Sequence, residues 1–270
     1  MVRVASAALL IALVLATILW LPPVATLVVA TLVAALAAGE VAGFAAHLGS
    51  GVPRAFVAAA AALVTLAFAV DQAVPTVPDV PALHAVLLAL VVSGGAVALA
   101  RPPDAGTLTR AAVAVMAPIY TGVPLGAIAA LRATDGPDPL LFLLVIIAVS
   151  DTAQYYSGRT LGRRKLAPVV SPGKTVEGAI GGLVAAGLVA AALGPRLLST
   201  TSLPLAAFAA LGVALSLTGI VGDLFESLLK RSVGVKDSSA LIPGHGGVLD
   251  RIDGYLFASP VFYLFLMVVA

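Results

Sequence analysis

The chain has 270 residues, 61% of them hydrophobic and only 10% charged, with a mean hydropathy of +1.12. A soluble domain of this size needs roughly a quarter charged residues to solvate its surface, so a water-soluble globule is excluded and lipid must be the main solvent. The formal charge of +2 matters less than its placement, and the absence of cysteine excludes disulfides, thiolate zinc sites and thiolate catalysis.

Arg3 followed by the apolar run Val4 to Trp20 resembles the start of a signal peptide. No small-x-small cleavage site closes the run, and Leu21-Pro22-Pro23 leads into more apolar chain, so a retained first span is expected. A bilayer core takes about 20 apolar helical residues. Segments of that kind fall near 4–20, 24–39, 55–70, 83–100, 111–131, 139–158, 176–194, 204–222 and 254–270, which predicts nine spans in an all-α integral membrane protein. The second and third are short, and the eighth is expected to run on past Gly222 as a helix. Glu40 reads as a helix-end residue with no assigned chemistry, and His47 and His84 as interfacial or packed.

With a cytosolic N-terminus, the cytosolic segments collect 13 of the 15 Lys and Arg residues, and the outer loops only Arg132 and Arg196. Basic residues favour the cytosolic side, so this asymmetry sets the orientation. Asp71, Asp79, Asp135 and Asp138 fall in the outer loops and carry little weight. The whole chain reads as one membrane domain, with residues 1–149 as apolar scaffold, 150–254 as the functional part, and a last span.

The first polar region is 150–178. Continued as a helix from Leu140, it places Asp151, Gln154, Tyr155 and Gly158 on one face, at i, i+3, i+4 and i+7. A carboxylate in a span costs about 2.5–3.5 kcal/mol at its centre, so Asp151 is expected to face a partner or a wet cavity. Arg163, Arg164 and Lys165 read as a positive-inside flank. Gly173-Lys174-Thr175 is not a phosphate loop, because Pro168 stands where the first Gly should and no strand is expected before it. Ser171 is still expected to cap a helix with Pro172 in its first turn, aiming amides at an anion beside Lys174.

In the second polar region, 222–254, Asp223, Glu226, Ser227 and Lys230 share one helical face, with Leu224, Phe225, Leu228 and Leu229 opposite. Asp250 and Asp253 repeat the i, i+3 spacing at the start of the last span. Carboxylates separated by turns suit Mg²⁺, which binds a few carboxylates plus phosphate oxygens. Lys230, Arg231, Lys236 and Arg251 bring the positive charge that polyphosphate requires. Gly244-His245-Gly246-Gly247 allows close backbone approach to a ligand, with His245 as phosphate donor or turn residue.

These residues resemble the phosphatidate cytidylyltransferases. That family's signature is met at Ser227, Leu229, Lys230, Arg231, Lys236, Asp237, Pro243, His245, Gly246, Gly247, Asp250, Arg251 and Asp253. Ser150-Asp151-Thr152 and Ser171-Pro172-x-Lys174-Thr175-x-Glu177-Gly178 are also similar to the family pattern. Gly254 departs from it, since Ser is expected there. The resemblance implies that CTP and phosphatidate give CDP-diacylglycerol and pyrophosphate. It implies Asp223, Asp250 and Asp253 as metal carboxylates, and Lys230, Arg231, Lys236, Asp237, His245 and Arg251 as further catalytic groups. Substrate-binding roles would fall to Asp151, Ser171, Lys174, Thr175, Glu177, Ser227, Gly246 and Gly247. The expected cofactor is Mg²⁺, with a monovalent cation such as K⁺ as an option. Expected partners are CTP, phosphatidate, the bilayer and, as an option, a second copy of the chain. Nucleic acid is not among them. The expected location is the inner membrane, with the site facing the cytoplasm.

Two alternatives stay open on the residues. One is a CTP-dependent enzyme acting on another lipid phosphate or a polyprenol. The other is an ion-coupled transporter, which the gathering of polar residues in one half of the chain argues against. The Asp-x-x-Asp-Gly-x-x-Ala-Arg core of the CDP-alcohol phosphotransferases is missing.

Overall fold

The computed structural model describes residues 2–73, 81–242, 244 and 246–269; Asp79, Pro243 and His245 lie outside the described residues. Among the described residues nine helices and one hairpin follow in chain order: α1 (Val2–Leu19), α2 (Pro23–His47), α3 (Arg54–Ala73), α4 (Ala82–Leu99), α5 (Thr107–Thr134), α6 (Pro137–Leu161), β1 (Lys165–Ala167), β2 (Ser171–Thr175), α7 (Val176–Leu197), α8 (Leu205–Ser232) and α9 (Leu249–Val269). Eight of them, α2 to α9, are long and apolar enough to cross a bilayer, and α1 adds the shorter apolar stretch Leu9–Leu19. The nearly all-helical membrane architecture expected from composition is therefore present. The elements gather into two compact units, one of Met1–Thr134 with Ser232–Ile252, the other of Asp135–Arg231 with Asp253–Ala270.

In the first unit α2, α3 and α5 pack on one another, with α4 against α3 and α5. Small residues let the helices approach closely where no hydrophobic effect drives them together. A Cβ at Gly122 of α5 would stand 2.8 Å from the Ala61 carbonyl of α3, and one at Gly126 would stand 2.7 Å from Phe68 Cβ. Thr65 of α3 donates to the Gly122 carbonyl at 3.2 Å. At the far end of α3, both Asp71 oxygens accept the Ala82 and Leu83 amides at 2.8 Å, so one helix's carboxylate caps the next. This satisfies amides that the start of α4 cannot pair within itself.

Two expectations change here. The second span does not stop near residue 39: α2 continues to His47, and Glu40 lies inside it, buried, rather than at its end. Arg110, counted in the sequence among cytosolic cations, is only 1% exposed. It donates from Nε to the Ser50 carbonyl at 2.6 Å, from a guanidinium nitrogen to the Ala98 carbonyl at 3.3 Å, and to Asp104 at 2.7 Å. Desolvation pushes the Asp104 carboxyl up, but hydrogen bonds from Arg110 and Thr107 together with the Arg110 charge hold it below the usual range. Arg110→Met should leave two carbonyls without a donor, at about 1–3 kcal/mol each. The expected result is a lowered thermal midpoint in detergent. A midpoint equal to wild type would show that Arg110 does not brace these loops. A depressed carboxyl stabilises above its unfolded pKa, so the Asp104 part of this brace should fade as pH falls through the folded value.

The second unit holds α6 to α8, the hairpin and most of α9. β1 and β2 pair antiparallel, Lys165 opposite Thr175 and Ala167 opposite Ser171. This hairpin was not expected, because charged and Pro/Gly residues hide a three-residue strand from any periodicity. It also corrects the expected cap. Ser171 and Pro172 lie in β2, and α7 begins four residues later, with Thr175 as N-cap accepting the Gly178 amide at 3.1 Å. Thr175→Val should cost about 1 kcal/mol, read as a lower midpoint and faster hydrogen exchange confined to the first turn of α7; unchanged exchange there would remove the capping role.

Candidate active site

The second unit's polar centre is built where helix backbones come close. On α8, a Cβ at Gly222 would collide with the Asp253 carbonyl of α9, and one at Gly254 would stand 3.5 Å from the Gly219 carbonyl. This close crossing brings Asp253 beside the polar stripe of α8. Gly254, where Ser was expected, has ordinary contact distances, so a serine would fit. On the other side α7 is seated on α6 through Gly178 and Gly182. A Cβ at Gly178 would stand 2.8 Å from the Gln154 carbonyl, and one at Gly182 would stand 3.0 Å from that of Ser150.

Within this frame Lys174 of β2 forms an ion pair with Asp223 of α8 at 2.6 Å, their side chains 19% and 35% exposed. Ser227 leans on the same carboxylate, its hydroxyl 3.4 Å from Asp223 Oδ1. Asp151 lies within electrostatic reach of Asp223 and Lys174, and Asp253 within reach of Asp223, Asp151 and Lys174. Tyr255, absent from the sequence reading, senses both Asp151 and Asp253. An aromatic residue just past the signature, in an otherwise apolar helix, offers no signal to find it by. Gln154 ties Asp151 into the bundle, donating to Asp151 at 3.2 Å and to Ser150 at 3.0 Å; Ser150 in turn meets Ser216 of α8 at 2.6 Å. The one-face arrangement of Asp151 and Gln154 is therefore present.

Asp151, Asp223 and Asp253 are hard oxygen donors of the kind that Mg²⁺ takes. Among the described residues, no three His, Asp or Glu side chains are gathered tightly enough to hold an ion. Other expected site residues have local work. Lys230 pairs with Glu226 one turn away, and Glu226 is fully buried. A buried carboxylate needs such a partner. Glu177 accepts the Arg163 and Arg164 amides at 2.9 and 3.1 Å and so closes the base of the hairpin. Arg231 ends α8 on the surface.

The remaining signature residues belong to the first unit, in the loop from Ser232 to the first turn of α9. Lys236, Asp237 and Arg251 are exposed. Asp250 Oδ2 accepts the Ser238 amide at 2.9 Å, the Ser238 hydroxyl at 2.8 Å and the Gly247 amide at 2.8 Å, so this carboxylate organises the loop. Gly246 has φ +81°, a conformation that side chains resist. Glu40, to which the sequence assigned no chemistry, accepts from the Ser238 and Ser239 hydroxyls at 2.8 and 2.7 Å and from the Val248 and Leu249 amides at 3.0 and 2.8 Å. The signal that was available is a lone acidic residue in an apolar helix, which in a membrane is expected to have a partner. His245 lies outside the described residues.

Residues 1–269 match the Cytidylyltransferase family. Among curated relatives, the chain is 49% identical over 129 residues to a phosphatidate cytidylyltransferase of Haemophilus influenzae, covering 47% of this chain and 44% of that protein. It is 40% identical over 153 residues to a phosphatidate cytidylyltransferase of Bacillus subtilis, covering 56% of each. It is also 46% identical over 129 residues to the uncharacterized protein YnbB of Escherichia coli, covering 47% of this chain and 42% of that one. The aligned stretches thus span about half the length of these relatives.

Proposed function

The chain belongs to the cytidylyltransferase family, and from that membership we propose that it is a phosphatidate cytidylyltransferase, making CDP-diacylglycerol and pyrophosphate from CTP and phosphatidate. The observation that carries the reading is the Lys174–Asp223 pair set among Asp151 and Asp253 at the polar ends of membrane helices. A phosphate oxygen of phosphatidate attacks the α-phosphorus of CTP. The bond from that phosphorus to the bridging oxygen breaks, and pyrophosphate leaves with its electron pair. Such transfers need little covalent help; positioning and charge neutralisation carry them. Lys174 is suited to holding a phosphate oxygen once ligand competes with Asp223 for its ammonium, and Ser227 to orienting that carboxylate. In the second unit Lys230 and Arg231 would supply basic charge for polyphosphate; Lys236 and Arg251 are the basic residues of the signature loop in the first unit.

Asp223 and Asp253 would hold Mg²⁺, which when bound neutralises charge on the nucleotide phosphates. A monovalent cation beside it follows from family resemblance alone. The basic bias of 13 residues to 2 supports a site open to the cytoplasm in the inner membrane. A second copy of the chain is a partner to test by the mass of the purified protein.

The test is pyrophosphate release by purified protein in mixed micelles. Release that requires CTP, Mg²⁺ and phosphatidate together supports the reading. Release with CTP only when another lipid phosphate or a polyprenol is supplied would replace it with the sister activity. No release with any acceptor, together with ion flux in liposomes, would overturn it in favour of a transporter.

A further inference from the structure

Among the carboxylates that the sequence left without a role, Glu40 has the densest set of contacts. It sits in α2, in the half of the chain that reads as scaffold, yet it bonds Ser238, Ser239, Val248 and Leu249, which belong to the signature loop and the start of α9. Val248 and Leu249 supply amides that α9 cannot pair within itself, and a carboxylate there also complements the positive helix N-terminus. α9 is thus capped by another helix, which ties the position of its first turn to α2. The Ser238 hydroxyl lies 2.8 Å from both this carboxylate and Asp250, and its single proton serves one of them at a time.

Gly247 shows that the space is made for this contact. A Cβ there would collide with the Ser238 hydroxyl and stand 2.5 and 2.6 Å from the two Glu40 oxygens. The second glycine of the Gly-Gly pair thus leaves room for the Ser238 hydroxyl and the Glu40 carboxylate together.

We infer that Glu40 is a positioning residue for the cytidylyl transfer: it locks the loop carrying Lys236, Asp237 and Asp250, and Gly247 is glycine so that it can. The inference rests on the transfer reading above. Loss of the clamp should loosen the loop's hold on the nucleotide more than on the lipid. Glu40→Gln keeps the size but replaces one accepting oxygen with a donor and removes the charge. The expected result is a CTP KM raised at least tenfold with the phosphatidate KM within threefold of wild type. Gly247→Ala should reproduce this, and the double variant should be no worse than either single one, since both break the same contact. Asp71→Asn is the control, because it removes a carboxylate cap of the same kind from α4, away from the loop.

Hydrogen exchange on the full-length protein supplies a readout that needs no activity. In Glu40→Gln, amides between 238 and 249 should exchange faster while α3 to α5 stay as in wild type. A CTP KM within twofold of wild type, an equal KM change in Asp71→Asn, or unaltered exchange at 238–249 would each overturn the proposal. If wild-type protein turns over no CTP, the transfer reading fails on its own, and the exchange result alone decides whether Glu40 locks the loop.

Discussion

Asp223→Asn is expected to lower CTP-dependent pyrophosphate release by about 10²–10³-fold, the scale on which one preorganised group contributes to a charge-stabilised transition state. Asp223 is the hub of its unit: Lys174 pairs with it at 2.6 Å, Ser227 leans on it, and Asp151 and Asp253 both sense its charge. Asparagine keeps the shape and removes the charge. The ammonium of Lys174 then loses its anchor, and a divalent cation loses a hard, charged ligand. Residual activity should therefore require more Mg²⁺ than wild type, measured as the Mg²⁺ concentration at half-maximal rate. Lys174→Met should be milder, because it leaves the carboxylate in place. Retention of more than a tenth of wild-type activity in Asp223→Asn would remove Asp223 from the proposed centre.

The second large effect is expected at Asp250, for a different reason. One oxygen of this carboxylate gathers the Ser238 amide, the Ser238 hydroxyl and the Gly247 amide. Hydrogen bonds to a charged acceptor contribute about 1.5–3 kcal/mol each, roughly twice a neutral pair. Asp250→Asn removes the charge behind all three at once, and the orientation that puts the amide nitrogen in place of Oδ2 sets a donor against donors. Activity should fall about 10²–10³-fold, with faster hydrogen exchange at the Ser238 and Gly247 amides. Loss of activity with exchange at those amides unchanged would show that Asp250 acts on the ligand or ion directly rather than through the loop. Retention of more than half the activity would exclude both roles.

Much of this site was legible because membranes make polar residues conspicuous. Asp151, Asp223 and Asp253 stood out as carboxylates at helical spacing in an apolar chain, and α6, α8 and α9 hold them within electrostatic reach of one another. The continuation of the eighth span past Gly222 follows from the same stripe, and α8 runs to Ser232. The motif puts Thr175 and Glu177 among the expected substrate-binding residues, and a local structural role is compatible with that. The structure gives one the cap of α7 and the other the base of a hairpin. A three-residue strand carries too little pattern to be seen, so the start of α7 was placed four residues early.

The sequence by itself determined the solvent and the nearly all-helical membrane architecture. Each of these depends on composition or on spacing along one helix, which the chain states directly. Only the tertiary structure decided that Glu40 belongs with Ser238, Ser239 and the first amides of α9, that Arg110 is buried, and that Lys174 reaches Asp223. These contacts join residues 6 to 209 positions apart in the chain. No local periodicity encodes such a pairing; it exists because packed helices bring a buried charge to the donors that can satisfy it.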